Sequence, residues 1–279
     1  MNRKQAYEYG VNLLTQSGIA DAKTDTMILL EHFCHVTRNE LYAHGEKFLE
    51  AEEENRYLDA LEKRKTHIPV QHLTGVQEFM GLPFSVNEHV LIPRQDTEIL
   101  VEEVLRQMQD GFRILDMCTG SGCILLSLLH YSNDCVGVGA DISDDALQIA
   151  KANAQKLEIS AEFIQSDLFE KITGKYEIIV SNPPYIKTSV IATLMEEVKD
   201  HEPVIALDGM DDGCYFYRKI IEESQSYLNI GGMLFFEIGY DQAEQVTAMM
   251  RDNHFRDVQV VQDYAGLDRV VFGTLFGGN

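Results

Sequence analysis

The tetrapeptide Asn182-Pro183-Pro184-Tyr185 follows the apolar run YEIIV and Ser181, and it sets an amide, two imide carbonyls and a phenol ring side by side. Proline fixes φ and has no N–H, and a residue before proline is pushed out of the helical region. Asn182 and Pro183 are therefore expected to be extended. The Asn182 side-chain oxygen and the Pro183 carbonyl become two fixed acceptors, with no competing donor from Pro183 or Pro184. A planar –NH2 group has two N–H bonds to give such a pair, and Tyr185 offers a ring to stack on the planar system behind it. The chemistry this suits is methylation of an amide or aromatic amine nitrogen, a poor nucleophile because its lone pair is delocalised. Acceptors that favour a more pyramidal nitrogen bind the transition state better than the ground state. The nitrogen loses its proton only after attack, so no strong general base is needed. No G-x-S-x-G or Ser/His/Asp constellation competes with this reading.

A second cluster lies upstream in ILDMCTGSGCI, residues 114–124. Asp116 ends a strand candidate, where a carboxylate can meet an ammonium group, and Gly120 and Gly122 allow backbone to approach a ligand closely. Asp141 ends the next strand candidate, about 20 residues beyond the turn, where an acid can take both hydroxyls of a ribose. Neither G-x-G-x-x-G nor G-x-x-x-x-G-K-[ST] occurs, so pyrophosphate and P-loop chemistry are not indicated. A ligand with a ribose and an amino-acid end but no phosphate is S-adenosylmethionine, which leaves as S-adenosylhomocysteine after methyl transfer. Asp167, after the third strand candidate, can accept from the adenine amine, with Leu168 packed beside the base.

These residues need elements to hold them. From Gly111 onward, strand candidates (FRILDM, CVGVGAD, AEFIQSD, YEIIVSN, GMLFFEIG, DVQVVQ, DRVVFG) mostly alternate with helices, which implies a largely parallel sheet covered on both faces. The last two are separated only by DYAGL, too short for a parallel crossover, so they should pair antiparallel. The expected fold is α/β, a Rossmann-like seven-stranded methyltransferase domain with its last strand antiparallel. Ligands in such sheets sit beyond the strand carboxyl ends where strand order reverses. In the methyltransferase order that point lies between the first and fourth strands, which end in DMCTGSG and SNPPY. In SDDALQIAKANAQKL, Leu147, Ala150, Ala154 and Leu157 form one stripe behind a Ser143 cap. Upstream, residues 1–75 read as a small helical domain, with Tyr7, Val11 and Leu14 on one face and Met27, Leu30 and Cys34 on another. Residues 76–93 read as a β-hairpin linker. Residues 94–279 form the methyltransferase domain, opened by a helix with Asp96 or Thr97 as its N-cap.

The totals bound the function. A formal net charge of −22 lacks the basic footprint of a nucleic-acid binder. Between Asn182 and Gly213 there are two lysines against seven carboxylates, surroundings hostile to a polyanion. The first ten residues lack the apolar stretch of a signal peptide, and no run approaches the length of a membrane span. No membrane partner is expected, and the expected location is the cytoplasm. Five scattered cysteines, none spaced C-x-x-C, fit reduced thiols better than a disulfide framework or a metal site. His32, Cys34 and His35 have no second ligand pair, and Cys34 falls on an apolar helix face.

NPPY after a D-x-x-T-G-S-G turn resembles the amino-methyltransferases that act on adenine, guanine or glutamine. The segments PVQHLTGVQEFMGLPFSVNEHVLIPRQDTE (69–98), HEPVIALDGMDDGCYFYRKII (201–221) and GGMLFFEIGYDQAEQV (231–246) resemble the release factor glutamine methyltransferases of the HemK or PrmC type. This resemblance runs over nearly the whole chain, the helical N-terminal domain included. It implies an S-adenosylmethionine-dependent enzyme that methylates the side-chain amide of the glutamine in the Gly-Gly-Gln loop of peptide chain release factors. It also implies that Cys118, Thr119, Gly120, Ser121, Gly122 and Asp141 bind the cofactor, that Asn182 lies near cofactor and substrate, and that Asn182 to Tyr185 receive the glutamine. The N-terminal helices would then contact the release factor. The chain departs from the family pattern at Cys118, where glycine is usual, and at Leu168, where an aromatic is usual. Two other readings stand beside this one. NPPY alone does not separate an amide from a base amine, so an adenine or guanine amino-methyltransferase on RNA or DNA is the alternative. A non-catalytic module docking on the translation apparatus is a third.

Overall fold

A computed structural model describes residues 1–277; Gly278 and Asn279, at the end of the segment expected to form the methyltransferase domain, lie outside the described residues. Contacts divide the chain into two compact units. The first comprises Met1–Val76 together with Met195–His201, and the second comprises Gln77–Leu194 with the residues from Glu202 onward.

The first unit contains helices α1 (Arg3–Gln16), α2 (Ala22–Cys34), α3 (Arg38–Ala43), α4 (Ala51–Arg64) and α5 (Val70–Thr74). Asn2 and Thr37 start α1 and α3 with capping boxes, each closed by a glutamine or glutamate three residues on. Met27, Leu30 and Cys34 are buried on α2 as their spacing predicts. The face of α1 differs from expectation. Its buried stripe is Arg3, Ala6, Gly10 and Leu14, while Tyr7 and Val11 are only half-buried. The reason is the phenol of Tyr57, which is fully buried and donates to the Ala6 carbonyl at 3.0 Å. A β-carbon on Gly10 would lie 2.3 Å from that hydroxyl, so α1 turns its smallest residues toward the ring. Cys34 is packed in this core and its thiol donates to the Glu53 carbonyl at 3.6 Å.

In the second unit a hairpin pairs β1 (Val76–Phe79) with β2 (Leu82–Ser85). Helix α6 (Gln95–Gln107) follows, then β3 (Arg113–Met117), α7 (Cys123–His130), β4 (Val136–Asp141), α8 (Asp144–Lys156), β5 (Glu162–Gln165) and β6 (Tyr176–Ser181). After two short helices, α9 (Thr188–Ile191) and α10 (Glu196–Lys199, grouped by contact with the first unit), come α11 (Tyr215–Ser224), β7 (Leu228–Glu237), α12 (Ala243–Asp252), β8 (Phe255–Gln262) and β9 (Asp268–Leu275). The seven strands lie in the order β5-β4-β3-β6-β7-β9-β8, parallel except for β9, which pairs antiparallel with β7 and β8. Strand order therefore reverses between β3 and β6, as the methyltransferase order requires.

Alternation along the strands separates two apolar layers. Leu115, Ile179, Leu234, Phe236 and Val271 face the side covered by α11 and α12. Ile114, Ile178, Val180, Phe235, Val270 and Phe272 face α6 and α7. The start of α6 corrects the sequence expectation. Arg94, not Asp96 or Thr97, is the N-cap, with extended φ and ψ of −97° and 146°. Pro93 ends the preceding segment, and Thr97, inside the first turn, gives its backbone N–H to the Arg94 carbonyl at 3.1 Å. Among the described residues no helix is long and apolar enough to cross a membrane.

Within the first unit the Arg64 guanidinium is buried and pairs with Asp25 at 2.7 Å and with Glu197. Removing one partner of a buried pair leaves an uncompensated charge and costs about 3 kcal/mol or more. Arg64→Met, which leaves the buried Asp25 without its cation, is therefore expected to lower the unfolding free energy of this unit by roughly that amount, read by denaturant melts; a loss below about 1 kcal/mol, the range of exposed pairs, would contradict it.

Candidate functional site

One cavity of about 320 Å³ opens at the carboxyl ends of β3, β4 and β6, and both sequence clusters meet on its wall. The parallel register sets Met117 opposite Ser181, and the Ser181 hydroxyl donates to the Met117 carbonyl at 2.7 Å. The turn that begins at Cys118 and the motif that begins at Asn182 thus leave adjacent strands at the same level.

Of the residues singled out in the sequence, Cys118, Thr119, Gly120, Ser121, Asp141, Asp167, Leu168, Asn182 and Pro184 line this cavity. Asp116, Gly122 and Tyr185 stand behind its wall, and Pro183 lies between two lining residues without being one itself. The turn is built by local bonds. Thr119 gives its N–H to the Ala140 carbonyl at 3.0 Å, and Gly122 gives its own to the Thr119 carbonyl at 2.9 Å before capping α7. Gly120 has φ of +55°, and a β-carbon there would meet nothing within 4 Å, so its backbone borders open space. Cys118 also sits in the left-handed region, with φ of +62°, a conformation in which glycine is free of strain. Burial pushes its thiol pKa up, so the sulfur stays protonated. Asp141 is held by two backbone donors, Gly120 N–H at 2.8 Å and Ser143 N–H at 2.9 Å. A carboxylate so held keeps further lone pairs for hydroxyl donors.

Behind the wall, Asp116 is fully buried. Its Oδ2 accepts from the Thr119 hydroxyl at 2.6 Å, while Oδ1 has no hydrogen-bond partner among the described residues. Burial raises its pKa to about 7, against the opposing pull of Thr119. Tyr185 turns its phenol inward as well, donating to Glu237 Oε1 at 3.3 Å, and Gln242 secures its carbonyl at 3.1 Å. Asn182 Nδ2 donates to the Thr97 hydroxyl at 3.4 Å. Thr97, Glu237 and Gln242 were not marked as site residues by the sequence. The available signal was position: Glu237 ends a strand at the same sheet edge as Asp116.

The acidic count also changes in meaning. Of the seven carboxylates between Asn182 and Gly213, Glu196 pairs with His67, Glu197 with Arg64, Glu202 with Arg94 and Asp212 with Arg218, while Asp208 accepts from Thr188. Most of that charge is neutralised or engaged within the protein, so it is weaker evidence against a polyanion than its number suggests.

Comparison with known proteins decides the family. Residues 5–75 match the PrmC N-terminal domain and residues 94–201 the methyltransferase small domain. A release factor glutamine methyltransferase of Clostridium acetobutylicum is 38% identical over 99% of this chain and 100% of its own. One of Moorella thermoacetica is 40% identical over 96% of this chain and 97% of its own. The chain belongs to the release factor glutamine methyltransferases. A crystal structure of a methyltransferase from Pyrococcus furiosus shares the fold, with a TM-score of 0.55 at 14% identity over 82% of this chain and 100% of that one.

Within this family fold, the buried Asp116 makes a pH-dependent contribution whose sign can be worked out. Its folded pKa of about 7 lies above the ordinary 3.8. The stability it contributes is fully present below the unfolded pKa and is lost as pH rises through the folded one. The ligand-free protein should therefore melt at progressively lower temperature between about pH 4 and 7, and Asp116→Asn should flatten that slope. Calorimetric melts of the two proteins across this range test it, and equal slopes would refute it.

Proposed function

We propose that this protein transfers a methyl group from S-adenosylmethionine to the side-chain amide nitrogen of the glutamine in the Gly-Gly-Gln loop of peptide chain release factors, in the cytoplasm. The observation that carries this reading is the meeting of the Cys118–Ser121 turn and Asn182 on one cavity at the β3–β6 reversal. The residues present fit the cofactor. The open space over Gly120 admits a ligand against the backbone. Asp141 has lone pairs free for ribose hydroxyls, and the buried, unpartnered Asp116 Oδ1 backs the turn with negative potential for an ammonium group. Leu168 supplies an apolar contact for a base, and Asp167 an acceptor beside it.

When bound, S-adenosylmethionine supplies an electrophilic methyl group on a sulfonium. Asn182 Oδ1 and the Pro183 carbonyl accept the two N–H bonds of the glutamine amide and turn its nitrogen toward the cofactor turn. Neither Pro183 nor Pro184 has an N–H to compete for those bonds. The acceptors favour a nitrogen that is becoming tetrahedral, so they stabilise the transition state more than the bound amide. The nitrogen then forms its bond to the methyl carbon as the carbon–sulfur bond breaks, its electron pair staying on sulfur, and the nitrogen releases one proton to solvent. Tyr185 serves from behind the wall, where its phenol and carbonyl are both tied down, and it fixes the end of the motif rather than stacking from within the cavity. The N-terminal helices present the docking surface for the folded release factor.

The deciding experiment is transfer of labelled methyl to purified release factor, with a Gln→Ala factor, RNA and DNA as parallel acceptors. Label should appear on the factor alone; label on nucleic acid and none on the factor would overturn the proposal. Two variants separate the roles. Asn182→Ala should lose turnover by about 100-fold, the scale of a misplaced reacting group, while its cofactor Kd measured by calorimetry moves less than about threefold. A collapse of cofactor binding would instead put Asn182 on the cofactor side. Asp141→Ala should do the reverse and weaken cofactor binding by about 10-fold or more, since two backbone donors and a ribose lose their acceptor.

A further inference from the structure

The amide of Asn182 can present either its oxygen or its –NH2 to the cavity, and only the surrounding hydrogen bonds decide which. Its Nδ2 is directed at the Thr97 hydroxyl, 3.4 Å away. A threonine hydroxyl has one proton and two lone pairs. If that proton points at Asn182, the amide must turn its oxygen inward and offer –NH2 to the substrate, which ruins the acceptor pair. Something else must take the proton. Glu237 is placed to do so. It ends β7, one residue beyond Phe236, whose side chain faces the α11 and α12 layer, so the Glu237 side chain falls on the opposite face, the one covered by α6. Thr97 is on that helix and buried, and its hydroxyl lies near enough to the Glu237 carboxyl to favour the charged form. The carboxyl also accepts from the Tyr185 phenol at 3.3 Å, and its Oε2 is buried without a well-aligned partner. Burial raises the carboxyl's pKa, and Arg269, itself held by Asp96 at 3.2 Å and Asp263 at 3.1 Å, pulls the other way.

We propose that Glu237 is a positioning residue that sets the polarity of the acceptor motif: by taking the Thr97 proton it leaves Thr97 able only to accept from Asn182, which turns Asn182 Oδ1 to the substrate nitrogen. The chain of donors runs one way, from Asn182 Nδ2–H to Thr97 Oγ1 and from Thr97 O–H to Glu237. Tyr185 ends on the same carboxyl, so both ends of the Asn182–Tyr185 motif are referred to one buried group. Glu237 does not border the cavity and touches no reacting atom. This inference rests on the reading of the site as an amide-nitrogen methyltransferase.

The test is steady-state methylation of release factor by the full chain, with cofactor Kd measured in parallel. Glu237→Gln keeps the volume but places a donor where an acceptor stood. Its kcat should fall by about 100-fold, while cofactor Kd stays within about threefold of wild type. Thr97→Val removes the relay and should show the same split, whereas Thr97→Ser, which keeps the hydroxyl, should retain kcat within about threefold. The double variant Glu237→Gln with Thr97→Val should lose no more than the worse single one, because both break one chain. Should Glu237→Gln fail to fold in thermal melts, the Thr97 pair decides alone: loss with valine and retention with serine supports the relay, and equal activity overturns it. A Glu237→Gln protein with near wild-type kcat, or losses that multiply, overturns it while wild-type transfer keeps the function standing. Absence of transfer by wild type itself would remove the function and the relay with it.

Discussion

Parallel strands that neighbour each other but send their connections to opposite sides leave a crevice at their carboxyl ends, and in this protein the β3–β6 pair is where that happens. Its register, Met117 against Ser181, is locked by a buried hydroxyl bonded to the Met117 carbonyl. A slip of one residue would exchange the two faces of the strand. Asp116 would then leave its place behind the glycine turn, and Asn182 would leave the cavity wall. The same register continues through β7, where Phe236 stands opposite Ser181 and Glu237 follows at the sheet edge. The positions of the ligand-facing loops and of the carboxyls behind them are consequences of this single alignment.

How much of this could be read in the sequence depended on whether a pattern was local or collective. The seven strands were legible because each is a short apolar run bounded by turns, and the antiparallel pairing of β8 and β9 followed from the five residues between the strand candidates. The Ser143 cap and the α8 stripe were legible for the same reason: capping and 3.6-residue periodicity are local. The α1 face is not local: periodicity points its large apolar residues inward, whereas the Tyr57 ring from a distant helix selects the small ones. Asp96 or Thr97 is the cap a local reading expects, because aspartate and threonine before an apolar stripe commonly serve as one. The Thr97 hydroxyl instead accepts from Asn182, far along the chain, which no local window includes.

The charges illustrate the same limit. A count of carboxylates near the motif treats each as a free negative charge, but an ion pair removes most of the field that a partner would meet. Arg64, Arg94 and Arg218 neutralise three of them and His67 pairs with a fourth, and three of these four partners lie over a hundred residues away in sequence. Net charge is a sound statement about the whole surface; its distribution around one site is a tertiary property. Family membership, carried by near full-length similarity, therefore bears more of the choice between glutamine and a nucleobase than the acidic surroundings do.

Two buried carboxyls stand behind the cavity, Asp116 and Glu237, each with one oxygen lacking a partner. For stability alone this is a poor arrangement, since an isolated buried carboxylate is costly and apolar side chains of similar volume commonly serve better. Both sit at strand ends, on the face covered by α6 and α7; a threonine hydroxyl, that of Thr119, donates to Asp116, and the proposed relay gives Thr97 the same part for Glu237. A threonine between a buried acid and a ligand-facing group carries the acid's demand for a donor to that group without exposing the charge. Preorganised dipoles of this kind need no rearrangement when charge develops in the reaction, which is where fixed polar groups have their largest effect. The stability given up beneath the wall is thus linked to the orientation held above it.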